Sequence, residues 1–144
     1  MLGWAIYRPK NRAKTVSENE LREIAELENS ERLYIVKRLP ELSSAEAELA
    51  AEITRRFLES KGKRRETTLK QEMEEHCRSL NIILDERQRQ YMPILLHNCV
   101  AAAGILSELL QDENLEEIAV TGTGKAKPIF VFDSSFGWLA TNIY

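Results

Sequence analysis

The residues that could do chemistry are few, and the first to weigh is Gly122-Thr-Gly-Lys125. It looks like the end of a phosphate-binding loop, whose full pattern is G-x-x-x-x-G-K-[ST]. The first glycine lets the backbone wrap the phosphates, and the closing hydroxyl holds magnesium. Here those positions are Ala119 and Ala126. The loop also runs toward a strand-like segment, so no helix N-terminus is aimed at an anion. A glycine turn between strands is the better account. His76 and His97 are the only histidines, and neither has an acid at ligand spacing that distinguishes it. Cys77 and Cys99 lack zinc spacing and fall at apolar positions, which suits buried free thiols. With no H-E-x-x-H and no C-x-x-C, the residues offer no catalytic constellation, no metal site and no cofactor site. A small enzyme built on His76 or His97 is the weakest of the readings weighed.

Two clusters of cations could do recognition instead. Arg8, Lys10, Arg12 and Lys14 follow an apolar tip containing Trp4 and Tyr7, with no acid among them. They read as a flexible basic arm over residues 1–16. Lys61, Lys63, Arg64 and Arg65 flank Gly62 at a helix C-terminus, where cations complement the dipole. Each cluster is either a solvated stretch or a contact for acidic lipids or an acidic partner. At an anionic membrane surface each charge would contribute about 1 kcal/mol.

The elements that must carry these residues are mostly helical. Ser17-Glu-Asn-Glu20 has the form of a capping box, and Leu21, Ile24, Ala25 and Leu27 then predict a short amphipathic helix over 18–28. Arg32–Arg38, rich in β-formers and bounded by Pro40, predicts a strand or extended connector. Ser43-Ser-Ala-Glu46 opens a helix over 44–60 with Leu49, Ile53 and Phe57 on one stripe. Thr68-Leu-Lys-Gln71 caps the next, with Leu69, Met73, Cys77 and Leu80, and puts His76 at a helix–helix seam. Asn81-Ile-Ile-Leu84 interrupts before Asp85-Glu-Arg-Gln88 caps a long stretch that contains Pro93 and ends near Gly104. Ile105 to Leu110 forms a last short helix.

Past Asp112 the period changes. Leu115 to Val120 and Ile129-Phe-Val-Phe132 are strand-like. Asp133-Ser-Ser-Phe-Gly137 is turn chemistry, and Trp138 to Tyr144 is a second strand. The expected fold is α+β: a helical N-terminal domain over 17–110 with one short strand, then a strand and a hairpin over 111–144. Those strands are expected to open a second domain whose sheet the chain does not finish.

Composition bounds the function. The chain has 144 residues, 43% hydrophobic and 30% charged, with a net charge of −3. That balance suits a packed, soluble protein and argues against a dedicated nucleic-acid binder, which needs a basic footprint. No stretch approaches the ~20 apolar residues of a membrane span. The apolar N-terminus has its charges behind it, which is not the signal-peptide order.

Several short motifs near the C-terminus agree in order with one family. Leu115-Glu-Glu-Ile118 after Asp112 is similar to the D-P-x-I-E-D-I segment of archaeal-type secretion ATPases, the motors of type II and type IV secretion, type IV pili and archaella. Pro128-Ile-Phe-Val131 looks like their P-[IV]-[FY]-V strand, and Gly137-Trp-Leu-Ala-Thr-Asn142 resembles their G-x-x-x-T-N hairpin. Pro40, Leu42 and Glu46 resemble the family's connector and helix start. Glu113 stands where the family has proline, Asn98-Cys99 near an Arg-Asp pair, and Ala102 for a frequent glycine. No Walker motif precedes Tyr144. The resemblance implies a non-catalytic N-terminal region of a cytoplasmic, membrane-peripheral hexameric motor. The motor would use ATP and magnesium elsewhere. Its partners would be an inner-membrane platform protein and neighbouring ATPase subunits. The alternative is a free-standing helical adaptor or regulator.

Overall fold

The computed structural model describes residues 6–61, 68–101, 103–122 and 127–144. They fall into two compact units, a helical one within 42–105 and a sheet unit made of 6–41 with the described residues of 106–144. The architecture is mixed α+β, with one six-stranded sheet and four helices among the described residues.

In the helical unit, α1 (Ser44–Lys61), α2 (Leu69–Ser79) and α3 (Glu86–Val100) pack pairwise. Each starts where its capping signal predicts. Glu46 N–H donates to Ser43 Oγ at 3.2 Å while Ser43 N–H donates back to the Glu46 carboxylate at 2.8 Å. Thr68 with Gln71 and Asp85 with Gln88 close the same reciprocal box on α2 and α3. These caps satisfy amide donors that the first turn leaves without helical partners. Ala50, Ile53, Phe57, Met73, Cys77, Tyr91, Met92, Leu95 and Leu96 are buried, following the apolar stripes read from the sequence. Pro93 lies inside α3.

The sheet unit holds β1 (Arg12–Glu18), β2 (Arg22–Leu27), β3 (Arg32–Val36), the short α4 (Leu106–Leu110), β4 (Leu115–Ala119), β5 (Phe130–Asp133) and β6 (Gly137–Thr141). The strand order is β1-β2-β3-β6-β5-β4. Three expectations are corrected here. The helix predicted over 18–28 is a turn followed by β2. The capping signal is an Asx turn, in which Asn19 Oδ1 accepts from the amides of Leu21 and Arg22, both at 2.9 Å. The apolar run was too short to separate a helical stripe from a strand buried on both faces, which is what β2 is. The basic arm over 1–16 is ordered strand from Arg12 onward, so the helical domain does not begin at 17. Third, β6 pairs in parallel with β3, Leu33 opposite Ala140 and Tyr34 opposite Thr141. The strands of 111–144 therefore share one sheet with those of 12–36.

Antiparallel pairing sets the faces. Ala25 lies opposite Leu33 and Ile24 opposite Tyr34. Ala25, Leu27, Leu33 and Ile35 form one apolar cluster, with Tyr7 and Ala140 packed on it. By alternation, Arg22, Ile24, Tyr34 and Val36 occupy the other face. Both sheet edges are blunted. β1 carries register shifts and alternating charges, and β4 carries one shift beside Glu116 and Glu117. Such devices discourage further strand pairing. The β5–β6 hairpin turns on Asp133, whose Oδ1 accepts from the amides of Ser135 and Phe136, and on Gly137 at φ +72°.

Candidate functional site

Inside the sheet unit, the most conspicuous polar group is a buried charge network. Arg22 is 5% exposed, Asp112 4% and Asp133 0%. Arg22 Nε donates to Asp112 Oδ2 at 2.8 Å, and its Nη2 lies 3.2 Å from Asp133 Oδ2 without hydrogen-bond alignment. Tyr34 Oη donates to the same Asp112 oxygen at 2.8 Å. Asp112 Oδ1 accepts from Asn114 Nδ2 and from the Asn114 amide. Burial would raise the Asp112 carboxyl, but the Asn114 and Tyr34 hydrogen bonds and the Arg22 charge outweigh it and hold it below the ordinary range. Burial first, then the neighbouring Asp112 carboxylate, pushes the Tyr34 phenol upward. Its charged members are buried, its cation is matched by two carboxylates, and Asp112 also lines a small open pocket of about 210 Å³ with Leu109, Leu115 and Ile118. The network ties β2 and β3 to the start of β4 and the end of β5, which is a structural task.

The residues that carried the family resemblance do similar work. Asp112 anchors that network. Asn142 is fully buried; its Oδ1 accepts from the Val36 amide at 2.9 Å and its Nδ2 donates to Tyr7 O at 3.0 Å. Thr141 Oγ1 accepts from the Ile143 amide at 3.2 Å. These side chains stitch strands together.

Of the basic residues singled out in the sequence, two face acids among the described residues. Arg12 pairs with Glu23 at 2.9 Å and Lys14 with Glu26 at 3.2 Å, both across the β1–β2 hairpin. Arg8 Nη2 donates to Leu39 O at 3.2 Å. Lys10 is exposed. The acids that answer this cluster were invisible because they sat in the predicted helix. Lys61 ends α1; Lys63, Arg64 and Arg65 lie outside the described residues, as do Thr123 to Ala126 of the glycine turn. His76 is buried on α2 and its Nδ1 has no hydrogen-bond partner among the described residues, while His97 is exposed. Both cysteines are free, and burial raises both thiols. No cluster among the described residues has the ligands to hold a metal.

The helical unit contains a feature that sequence reasoning passed over. An open groove of about 740 Å³ runs beside α2, lined by Met73, Cys77, Ile82, Leu84 and Pro93, with Lys70, Arg78, Arg89 and Glu74 around it. Ile83 also lines it and is 86% exposed. Leu80, at the α2 C-cap, is more than half exposed. The signal was present in the sequence as Asn81-Ile-Ile-Leu84, an apolar triplet placed in a loop between two amphipathic helices. The loop is held by Ile82 N–H donating to Cys77 O at 2.8 Å and by Arg89 Nε donating to Leu84 O at 3.0 Å. A concave apolar floor with exposed apolar and charged side chains at its lip is suited to binding and offers no nucleophile–base pair.

No family model matches the chain, and no solved structure matches it. An uncharacterized protein of Methanocaldococcus jannaschii is 36% identical over 78 residues. The match covers 54% of this chain and only 30% of that relative's length. Among the described residues, no helix is long and apolar enough to cross a membrane.

Proposed function

We propose that this chain is the non-catalytic N-terminal docking and assembly region of a secretion, pilus or archaellum ATPase. In this reading the helical unit engages a membrane platform protein or a neighbouring subunit, while ATP and magnesium are handled by a separate motor domain. The ordered C-terminal motifs supply the family reading. The observation that carries the docking role is the groove, an exposed apolar surface with Ile83 standing at its lip. The protein is proposed to act from the cytoplasmic side of the membrane. The test is to isolate the protein from its native cells and identify by mass spectrometry what it is joined to or copurifies with. A P-loop ATPase, in the same polypeptide or a stoichiometric complex, is expected, and the 144-residue chain alone should neither bind nor hydrolyse ATP. Tight ATP binding by the chain alone, or the absence of any such ATPase, overturns the motor reading.

A second reading, a helical adaptor with no motor attached, is favoured by one observation. The C-terminal strands find a neighbour within the chain, since β6 pairs with β3. On that reading the groove is still the working surface, and the native isolate contains a partner protein without a P-loop ATPase.

A further inference from the structure

The groove's own geometry narrows what can fill it. Lys70, Met73, Glu74, Cys77 and Arg78 recur at the three- and four-residue steps that place side chains on one face of a helix. The groove therefore follows α2 lengthwise, with the Ile82–Leu84 loop and α3 residues Arg89 and Pro93 completing its lining. Met73 and Cys77 are buried at its base, whereas Ile83 projects into solvent. A volume of about 740 Å³ falls within the ~300–1,000 Å³ range of binding clefts. An enclosed small-molecule site would not leave an isoleucine almost fully exposed at its mouth. The groove walls are helices and a loop and offer no strand edge for an extended peptide to extend. A helix laid along the groove covers both floor and lip.

Charge decides the partner's character. The groove residues include three cations, Lys70, Arg78 and Arg89, against one acid, Glu74, in a chain whose net charge is −3. Lys70 and Glu74 approach only to 3.9 Å and are 78% and 50% exposed, so that pair does little to cancel the field. We propose that this groove takes an amphipathic helix of a partner protein whose apolar face is flanked by aspartates or glutamates. This deepens the docking reading above and rests on it. Burial of the helix's apolar face against Met73, Ile82, Ile83 and Leu84 supplies affinity, while the exposed cations fix orientation and speed encounter.

The test uses the whole chain and three probes. These are a fluorescein-labelled amphipathic peptide of leucines flanked by glutamates, the same peptide with lysines for glutamates, and phosphatidylglycerol vesicles. Saturable binding of the glutamate peptide, weakened by added salt and weakened about tenfold by Ile83→Asp, is expected. A double Lys70→Glu, Arg78→Glu variant should shift preference to the lysine peptide. All three positions are exposed, so unchanged helical circular dichroism is expected and separates lost binding from lost folding. Equal binding of both peptides, indifference to Ile83→Asp, or binding to vesicles without binding to the glutamate peptide overturns the proposal. Peptide binding does not depend on an attached ATPase, so this inference and the motor reading fail separately.

Discussion

The helical unit and the sheet unit are built on opposite principles. In the helical unit, order is declared within a few residues: Ser43 with Glu46, Thr68 with Gln71 and Asp85 with Gln88 each begin a helix. In the sheet unit, order depends on residues far apart in the chain, such as Arg22 with Asp112 and Val36 with Asn142. A unit assembled from local signals can lose one of them at modest cost. A unit held by long-range polar ties loses a buried partner with each one, and the orphaned group costs more than the bond contributed. The groove proposed for docking lies on the locally organised unit, where exposed residues can change without disturbing a distant partner.

Mutations can break this contrast. The largest effect is expected for Arg22→Ala, which leaves Asp112 and Asp133 buried without their cation and should cost about 3–5 kcal/mol. Native-state hydrogen exchange should show the amides of β2, β3 and β6 losing protection while those of α2 and α3 keep theirs. Equal loss in both would mean that the units do not unfold separately. Next is Asn142→Ala, which orphans the buried Val36 amide and removes the donor to Tyr7 O, at about 1–3 kcal/mol in denaturant unfolding. In the helical unit, Asp85→Ala removes one side of a capping box on an exposed helix end and should cost only about 1 kcal/mol. If Asp85→Ala proved costlier than Asn142→Ala, the contrast would be reversed.

The smallest effect is the loss of one hydrogen bond's contribution to the pH dependence of the helical unit. Burial tends to raise the Glu46 carboxyl, but hydrogen bonds from Tyr91, the Ser43 amide and hydroxyl, and Gln88 outweigh it and bring it from 4.5 to about 2. A carboxyl lowered by folding contributes stability that is complete above its ordinary value and is lost as pH falls through the folded one. The melting temperature of the helical unit should therefore decline from about pH 4.5 toward about pH 2, and Tyr91→Phe should flatten that decline. An unchanged slope in Tyr91→Phe would remove Tyr91 as the cause.

The same contrast explains what could be read in advance. The three capped helices, α4, β3 and the β5–β6 hairpin with its turn at Gly137 were legible, because caps, apolar stripes and turn residues act over three or four positions. β2 was misread because Leu21, Ile24, Ala25 and Leu27 satisfy a helical stripe as well as a buried strand. Arg22 gave no warning, since a charge in that position reads as solvent-facing until Asp112 is brought to it. The basic cluster at Arg12 and Lys14 looked unopposed for the same reason: Glu23 and Glu26 oppose it only across a hairpin.

By itself, then, the sequence determined where the three capped helices start and where the terminal hairpin turns. Tertiary structure alone decided that β6 lies beside β3, that Arg22 is buried between two aspartates, and that the Ile82–Leu84 loop borders a groove with α2 and α3. The reason is physical: caps and turns are satisfied by near neighbours along the chain, whereas strand partners, buried ion pairs and concave surfaces exist only once distant segments have met.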